Sequence, residues 1–289
     1  MRPIIVAVIT ACFLVVRADA QQPTGNAALR YWMAFALLQD PPADTATTDL
    51  VQRVADGSVP WDESRLGAIL DANAGALEIM RRGSTLRSCD WGVEYDLGPG
   101  TPIAHLAKAR VLGRLNVLSG MRLATHGQLA EAIDIWLAGV RFSQHLAQGG
   151  TLISLLSANS ILTPNLNALA GAAARRPLDA ERGKRIQAVV QALPETGFDW
   201  ADAMRREGDT LAVGVRMNAV PNLGTQDLDG LRATVTRIAD GLRLPPDRAR
   251  TVLATVNMGS LPLPSPARIN GVREGIRAAR QNVLDSLSR

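Results

Sequence analysis

Apolar residues recur every three or four positions through most of the chain, and no stretch alternates apolar with polar residues in a run rich in Val, Ile, Thr and aromatics. The pattern predicts helices and no strands. Asn26 caps a first helix that places Leu29, Trp32, Phe35 and Leu38 on overlapping turns, and Pro41-Pro42 stops it. A short helix is expected around Leu50 to Ala55. Asp62 then opens a longer one, with Leu66, Ile69, Leu70, Leu77 and Met80 as its buried stripe. It ends at Arg81-Arg82-Gly83, where cations and a glycine suit the exposed carbonyls.

Ser84 to Gly100 is the longest non-helical stretch inside the domain, and functional residues concentrate on such loops. Pro102 opens a helix to about His126, Gly127 breaks it, and a second helix runs from Leu129 to Gln148, so the two pack as an antiparallel hairpin. Within it Gly120, Leu123, Gly127, Ala132, Trp136 and Gly139 follow the small and large positions of a tetratricopeptide repeat. The small residues let the helices approach while Leu123 and Trp136 fill the gap. The match is partial: the proline expected near Gln144 is missing, and the chain has no clear second or third copy of the repeat.

Beyond the hairpin, Pro164 should kink or split the apolar segment Thr151 to Arg175. Further helices are expected at Asp179 to Leu193, Asp199 to Met217, Gln226 to Leu242 and Pro246 to Met258. Three prolines make Gly259 to Pro266 a strap, and a last amphipathic helix carries Ile269, Val272, Ile276, Val283 and Leu287 on one side. The expected fold is all-α, an array of about nine or ten antiparallel helices, partly tetratricopeptide-like and so α-solenoid-like. Its divisions are a leader over residues 1–20, a helical domain over 21–258 with the repeat-like hairpin at 102–148, the proline-rich linker at 259–266 and the C-terminal helix at 267–289.

The leader reads as a cleavable export signal: Arg2, an apolar run from Pro3 to Val16, then the small residues Ala18 and Ala20, with cleavage after Ala20. The run is shorter than the roughly 20 residues that span a bilayer. Ile9-Thr10-Ala11-Cys12 has the residue types of a lipobox, the minor alternative being a lipoprotein lipidated at Cys12, but Phe13 to Val16 stay apolar where such a protein turns polar. Removal of the leader leaves Cys89 as the only cysteine, so core packing must stabilise an exported chain that has no disulfide. The expected location is the periplasm or the cell exterior.

Charge changes this picture little. The chain has 31 Lys and Arg against 27 Asp and Glu, a net charge of +4, with both signs spread throughout, which points to no nucleic-acid partner. Lys108 and Lys184 are the only lysines. Arg273, Arg277 and Arg280 form a basic stripe on the last helix that can meet an anionic partner or a membrane surface, although Glu274 and Asp285 dilute it.

The densest polar cluster lies in the loop and the helix after it: Cys89-Asp90-Trp91-Gly92, Glu94-Tyr95-Asp96, then His105, Lys108 and Arg110. Carboxylates beside an imidazole can bind a metal or share a proton, which makes Asp90, Glu94, Asp96 and His105 the candidate catalytic or metal site. Against this, the same acids serve equally as caps, turn residues and partners of Lys108 or Arg110. In the hairpin His145 lies at the same end as His105, but it groups with Arg141, Gln144 and Gln148 on what reads as the wet face. His126 is about 30 Å from His105 along a continuous helix and belongs to no common site. Cys89 reads as a buried, unreactive thiol. Tyr31, Trp32, Phe35 and Trp61 stand at a spacing that suits core packing better than a ligand groove. No Gly-x-Ser-x-Gly, phosphate-binding glycine loop, His-Glu-x-x-His or Cys-x-x-Cys occurs, and no cofactor is implied.

Through Cys89-Asp90-Trp91-Gly92, Gly98-Pro99-Gly100 and His105-Leu106-Ala107-Lys108-Ala109-Arg110, the chain resembles an uncharacterised family of exported bacterial all-helical proteins. The resemblance runs from about Asn26, through Tyr31-Trp32, to the Gly149 and Thr151-Leu152-Ile153 region. It implies the helical fold and the export signal and brings no activity. The reading that follows is an extracytoplasmic helical scaffold or protein-interaction module, whose partner is another envelope protein. The alternative is an enzyme or metal-binding protein with its site at Asp90, Glu94, Asp96 and His105.

Overall fold

The computed structural model describes residues 25–288 apart from 176–177 and 260. The expected leader, the cleavage point expected after Ala20, and Cys12 lie outside the described residues. Twelve α-helices follow one another in those residues, with two short 3-10 segments and a single isolated β-bridge between Asn26 and Ser88.

Short polar side chains begin the helices by occupying amide donors that have no partner in the first turn. Asn26 accepts from the Ala28 amide to start α1 (Ala27–Leu37), and Asp44 accepts from Thr47 to start α2 (Thr45–Ala55). Asp62 caps α3 (Glu63–Ala72) through the Arg65 amide. The long helix expected from Asp62 to Met80 is instead two, because Asn73 separates α3 from α4 (Ala74–Gly83). Its buried amide donates to the Ile69 carbonyl at 2.9 Å and to the Gln39 carbonyl at 3.0 Å, and its Oδ1 accepts from the Gln39 amide at 2.8 Å. Asparagine competes with the helix backbone in this way, and here it also ties down the chain leaving α1.

The hairpin is α5 (His105–Thr125) and α6 (Leu129–Ala147), joined through Gly127 at φ +82°. Gly120 lies directly under Trp136: a Cβ there would stand 2.2 Å from the indole Nε1. That indole donates to the Val117 carbonyl at 3.3 Å, and the Asn116 amide donates to the Ile135 carbonyl at 2.9 Å, so polar bonds cross the seam as well. Gly139 works on the opposite side, where its missing side chain makes room for Asn165 of α7 (Leu152–Arg175). The helix α7 continues through Pro164 without the expected division, and the Asn165 amide donates to the Ile161 carbonyl at 2.7 Å one turn back.

Five more helices complete the described chain: α8 (Ala180–Ala192), α9 (Trp200–Arg216), α10 (Leu228–Arg243), α11 (Pro246–Ala254) and the long α12 (Pro266–Leu287). The helix α7 packs against α5, α6, α9 and α12, α1 against α4, and α9 against α10. One apolar core runs through all of them. Ile269, Ile276 and Val283 of α12 belong to it, and Leu261 and Leu263 anchor the proline-rich strap against it, so strap and last helix are parts of the same packed body. Among the described residues no helix is long and apolar enough to cross a membrane.

Candidate functional site

Asn26 positions the loop that holds the predicted site residues. Its Oδ1 caps α1 and also accepts from the Asp90 amide at 2.8 Å, while its Nδ2 donates to the Asp90 carbonyl at 2.8 Å. The Ala27 amide adds a bond to the Ser88 carbonyl at 2.8 Å. One asparagine therefore starts the first helix and clamps the loop 64 residues later onto it. The clamp drives Trp91 into the interior.

Trp91 organises a cluster of aromatic and imidazole rings. It stacks on His105 at 4.6 Å and 18°, on Tyr31 at 5.6 Å and 20°, and on Phe35 at 6.1 Å and 10°. Its indole N–H donates to the His145 carbonyl at 2.8 Å. Tyr31, with 0 % of its surface exposed, packs on Phe142 and brings its hydroxyl to 2.6 Å from His145 Nδ1. There is space for the phenol because Gly83 faces it: a Cβ at that position would lie 2.8 Å from Tyr31 Cε1.

Electrostatics follow from burial. Desolvation raises the Tyr31 phenol far above its ordinary range, with Cys89 adding to the rise. Burial lowers His105 to about 4. Burial also lowers His145, opposed by a hydrogen bond with the Leu86 backbone and assisted by the charge of Arg141. Both imidazoles are neutral at pH 7. A neutral His145 ring accepts at Nδ1 from the Tyr31 hydroxyl, since a phenol so far from ionising keeps its proton. The pair is a locked core hydrogen bond.

His145 corrects the expectation of a wet-face histidine, because it is 8 % exposed and roofed by α1 and the Trp91 loop. The helical pattern of α6 alone carries no sign of that cover, since Tyr31 lies 114 residues away. A usable signal was Tyr31 itself, because a buried tyrosine needs a partner for its hydroxyl.

The four predicted site residues take divergent environments. His105 is buried against Trp91, whereas Asp90, Glu94 and Asp96 are exposed. Asp90 makes a local turn, accepting from the Gly92 amide at 2.9 Å. Asp96 lies in the 3-10 turn Tyr95–Gly100, which docks on α9 where Pro99 fills the space above Gly214. Glu94 contributes its backbone carbonyl to the Thr101 hydroxyl at 3.0 Å. Lys108 pairs with Asp40 at 2.8 Å and with none of the three. Among the described residues no three His, Cys, Asp or Glu side chains are grouped so as to hold a metal ion. Of the aromatic group expected in the core, Tyr31 and Phe35 are buried, Trp32 packs edge-on against Phe35 but is 43 % exposed, and Trp61 stands apart and donates to Glu63 at 2.8 Å. Cys89 is buried as expected, its thiol pushed up to about 12 by burial and by the charge of Asp90.

Two surface features adjoin this cluster. An open groove of about 480 Å³ lies over His145, bounded by Ser84 to Arg87 and by Arg141 and Gln144. The other is the outer face of α1, where Leu29, Trp32, Met33 and Leu37 are 47 %, 43 %, 51 % and 53 % exposed. The basic stripe of α12 is engaged within the molecule: Arg273 is buried, Arg277 pairs with Asp247 and Glu195, and Arg280 donates to the Val190 and Gln191 carbonyls. Comparison with protein-family models, with curated proteins and with solved structures finds no match.

Proposed function

We propose that the mature chain is an exported helical interaction module that docks a partner protein of the cell envelope through the outer face of α1. The observation that carries this reading is the apolar stripe Leu29, Trp32, Met33 and Leu37. These residues are spaced by three and four positions, so they line one face of an eleven-residue helix whose other face is already committed to the core. Tryptophan and methionine are enriched at interfaces, and a row at i, i+4 and i+8 offers the ridge that a helix-in-groove partner reads. Arg30 stands exposed beside the stripe and suits a partner with an acidic flank.

Rigidity supports the same reading. Trp32 rests edge-on against Trp91 and His105, at 6.2 Å and 6.1 Å, so the stripe stands on a packed aromatic base and loses little freedom on binding. Export rests on the leader pattern and on the resemblance to exported bacterial helical proteins. The tetratricopeptide-like character of α5 and α6 has the Gly120 and Trp136 contact in its favour. No observation favours the enzymatic or metal-binding alternative.

A photo-crosslinking residue at Met33 in the full chain, expressed in its own envelope, tests the proposal. The expected result is a protein adduct that disappears when Leu29→Asp is added and circular dichroism is unchanged. An adduct indifferent to Leu29→Asp, or no adduct at all, overturns it.

A further inference from the structure

Arg273 is a buried cation with no acid in contact. It is 2 % exposed, yet a guanidinium stays protonated, and burying a charge without a contacting partner is costly. Nη1 donates to Asn270 Oδ1 at 2.8 Å and Nη2 to the Leu244 carbonyl at 2.6 Å, both neutral acceptors. Nε has no acceptor among the described residues. The acids nearby are engaged elsewhere: Glu274 pairs with Arg250, and Glu195 and Asp247 both pair with Arg277.

The same side chain lines an open groove of about 360 Å³, in the size range of small-molecule sites. Pro194, Phe198, Leu242 and Leu244 give it apolar walls, and the first turn of α9 enters it at Trp200. Three other charged groups border the groove, and each has a role already. Asp199 caps α9 through the Asp202 amide, Arg243 pairs with Asp240, and Glu195 faces Arg277. Arg273 is the charge there with no ion pair in contact, Glu195 and Glu274 acting on it only at longer range, and it stands next to the partial positive charge of a seventeen-residue helix N-terminus.

We propose that this groove binds a carboxylate carried on a small apolar body. The carboxylate takes the guanidinium donors that Asn270 and Leu244 leave free, and the apolar body lies along Pro194, Leu244 and Pro245. A free organic acid and the C-terminal carboxylate of a peptide share this chemistry. The site uses the α8–α9 connection, the start of α9, the end of α10 with the chain leaving it, and α12, and stands whether or not α1 docks a partner.

Phenylacetate is the probe, titrated into the mature chain while the Arg273 Nε–H resonance is followed by ¹H–¹⁵N NMR and assigned through its loss in Arg273→Lys. Saturable movement of that resonance is expected with phenylacetate, and none with 2-phenylethanol, which has the same body without the charge. Glu195→Gln, at an exposed side chain, removes a nearby negative charge and is expected to tighten phenylacetate binding about threefold, a readout that survives if Arg273→Lys does not fold. An acetylated tripeptide ending in phenylalanine that binds more tightly than phenylacetate identifies a peptide end as the source, and weaker binding identifies a free acid. No movement at millimolar phenylacetate, equal movement with the alcohol, or indifference to Glu195→Gln overturns the proposal and leaves Arg273 as a staple between α12 and the α10–α11 connection.

Discussion

The Tyr31 hydroxyl and the His145 Nδ1 meet at 2.6 Å inside the core, joining the first helix to the hairpin. Tyr31→Phe keeps the ring packing and leaves Nδ1 as a buried acceptor without a donor, an expected loss of about 1–3 kcal/mol. The double variant Tyr31→Phe, His145→Leu removes both partners and is expected to cost less than the sum of the single changes. Urea unfolding of the four proteins of this cycle reads the coupling, and strict additivity would show that the bond contributes nothing.

Both core imidazoles resist protonation, which gives stability a pH dependence of definite sign. The folded pKa of each lies below its unfolded value, so the unfolded chain takes up protons first as the pH falls. The contribution of His105 is therefore complete above about 6.5 and is lost between there and about 4, by on the order of 2–3 kcal/mol. Thermal melts from pH 8 to pH 4 are expected to fall through that window. His105→Phe, which keeps a ring on Trp91, should flatten part of the fall.

Much of the fold was legible because caps and apolar stripes are local. Asn26, Asp62, Asp179 and Asp199 mark helix starts in the sequence and accept first-turn amides in the structure. The division at Asn73 was not legible, since its amide is held partly by Gln39, which a single-helix pattern cannot register. The separation of the candidate site residues was not legible for the same reason. Neighbours in sequence suggested that Asp90, Glu94, Asp96 and His105 would act together, but the Asn26 clamp takes Trp91 and His105 inward while Pro99 takes Asp96 to α9. Arg273 looked like part of an open basic stripe because nothing local shows that the α10–α11 connection covers it.

Cys89 should behave as an inert thiol. With its pKa pushed up to about 12 and its side chain 3 % exposed, almost none of it is thiolate at pH 8. Ellman's reagent is expected to react only as fast as the loop opens, and stoichiometrically once urea has unfolded the chain. Rapid labelling of the native protein would mean that the clamp through Asn26 and Asp90 is loose in solution.

Two glycine substitutions separate close packing from backbone propensity. Gly120→Ala drives a methyl into Trp136 at 2.2 Å and is expected to destabilise by about 1–3 kcal/mol, with the shift reported by indole fluorescence. Gly171 lies inside α7 with no atom within 4 Å of a Cβ position, so Gly171→Ala should stabilise by roughly 0.5–1 kcal/mol. Equal effects at the two sites would contradict the hairpin seam.

Truncation is a poor test of whether the last helix attaches the protein to a membrane. Removing the residues after Pro266 deletes Ile269, Ile276 and Val283 from the core, all 1 % exposed or less, and uncovers the face of α7 that α12 packs against. The truncated chain is expected to aggregate, which mimics release from a membrane for the wrong reason. Charge removal with retention of the apolar face is cleaner. In Arg277→Gln, Arg280→Gln the core side chains remain, and the cost is two ion pairs and two bonds to carbonyls at the surface. Because those arginines are already engaged within the molecule, sedimentation with anionic vesicles at 0.15 M salt should be equally low for the parent and the variant. Sedimentation of the parent that the double variant loses would mean that the ion pairs open to lipid, and would restore the helix as an attachment surface.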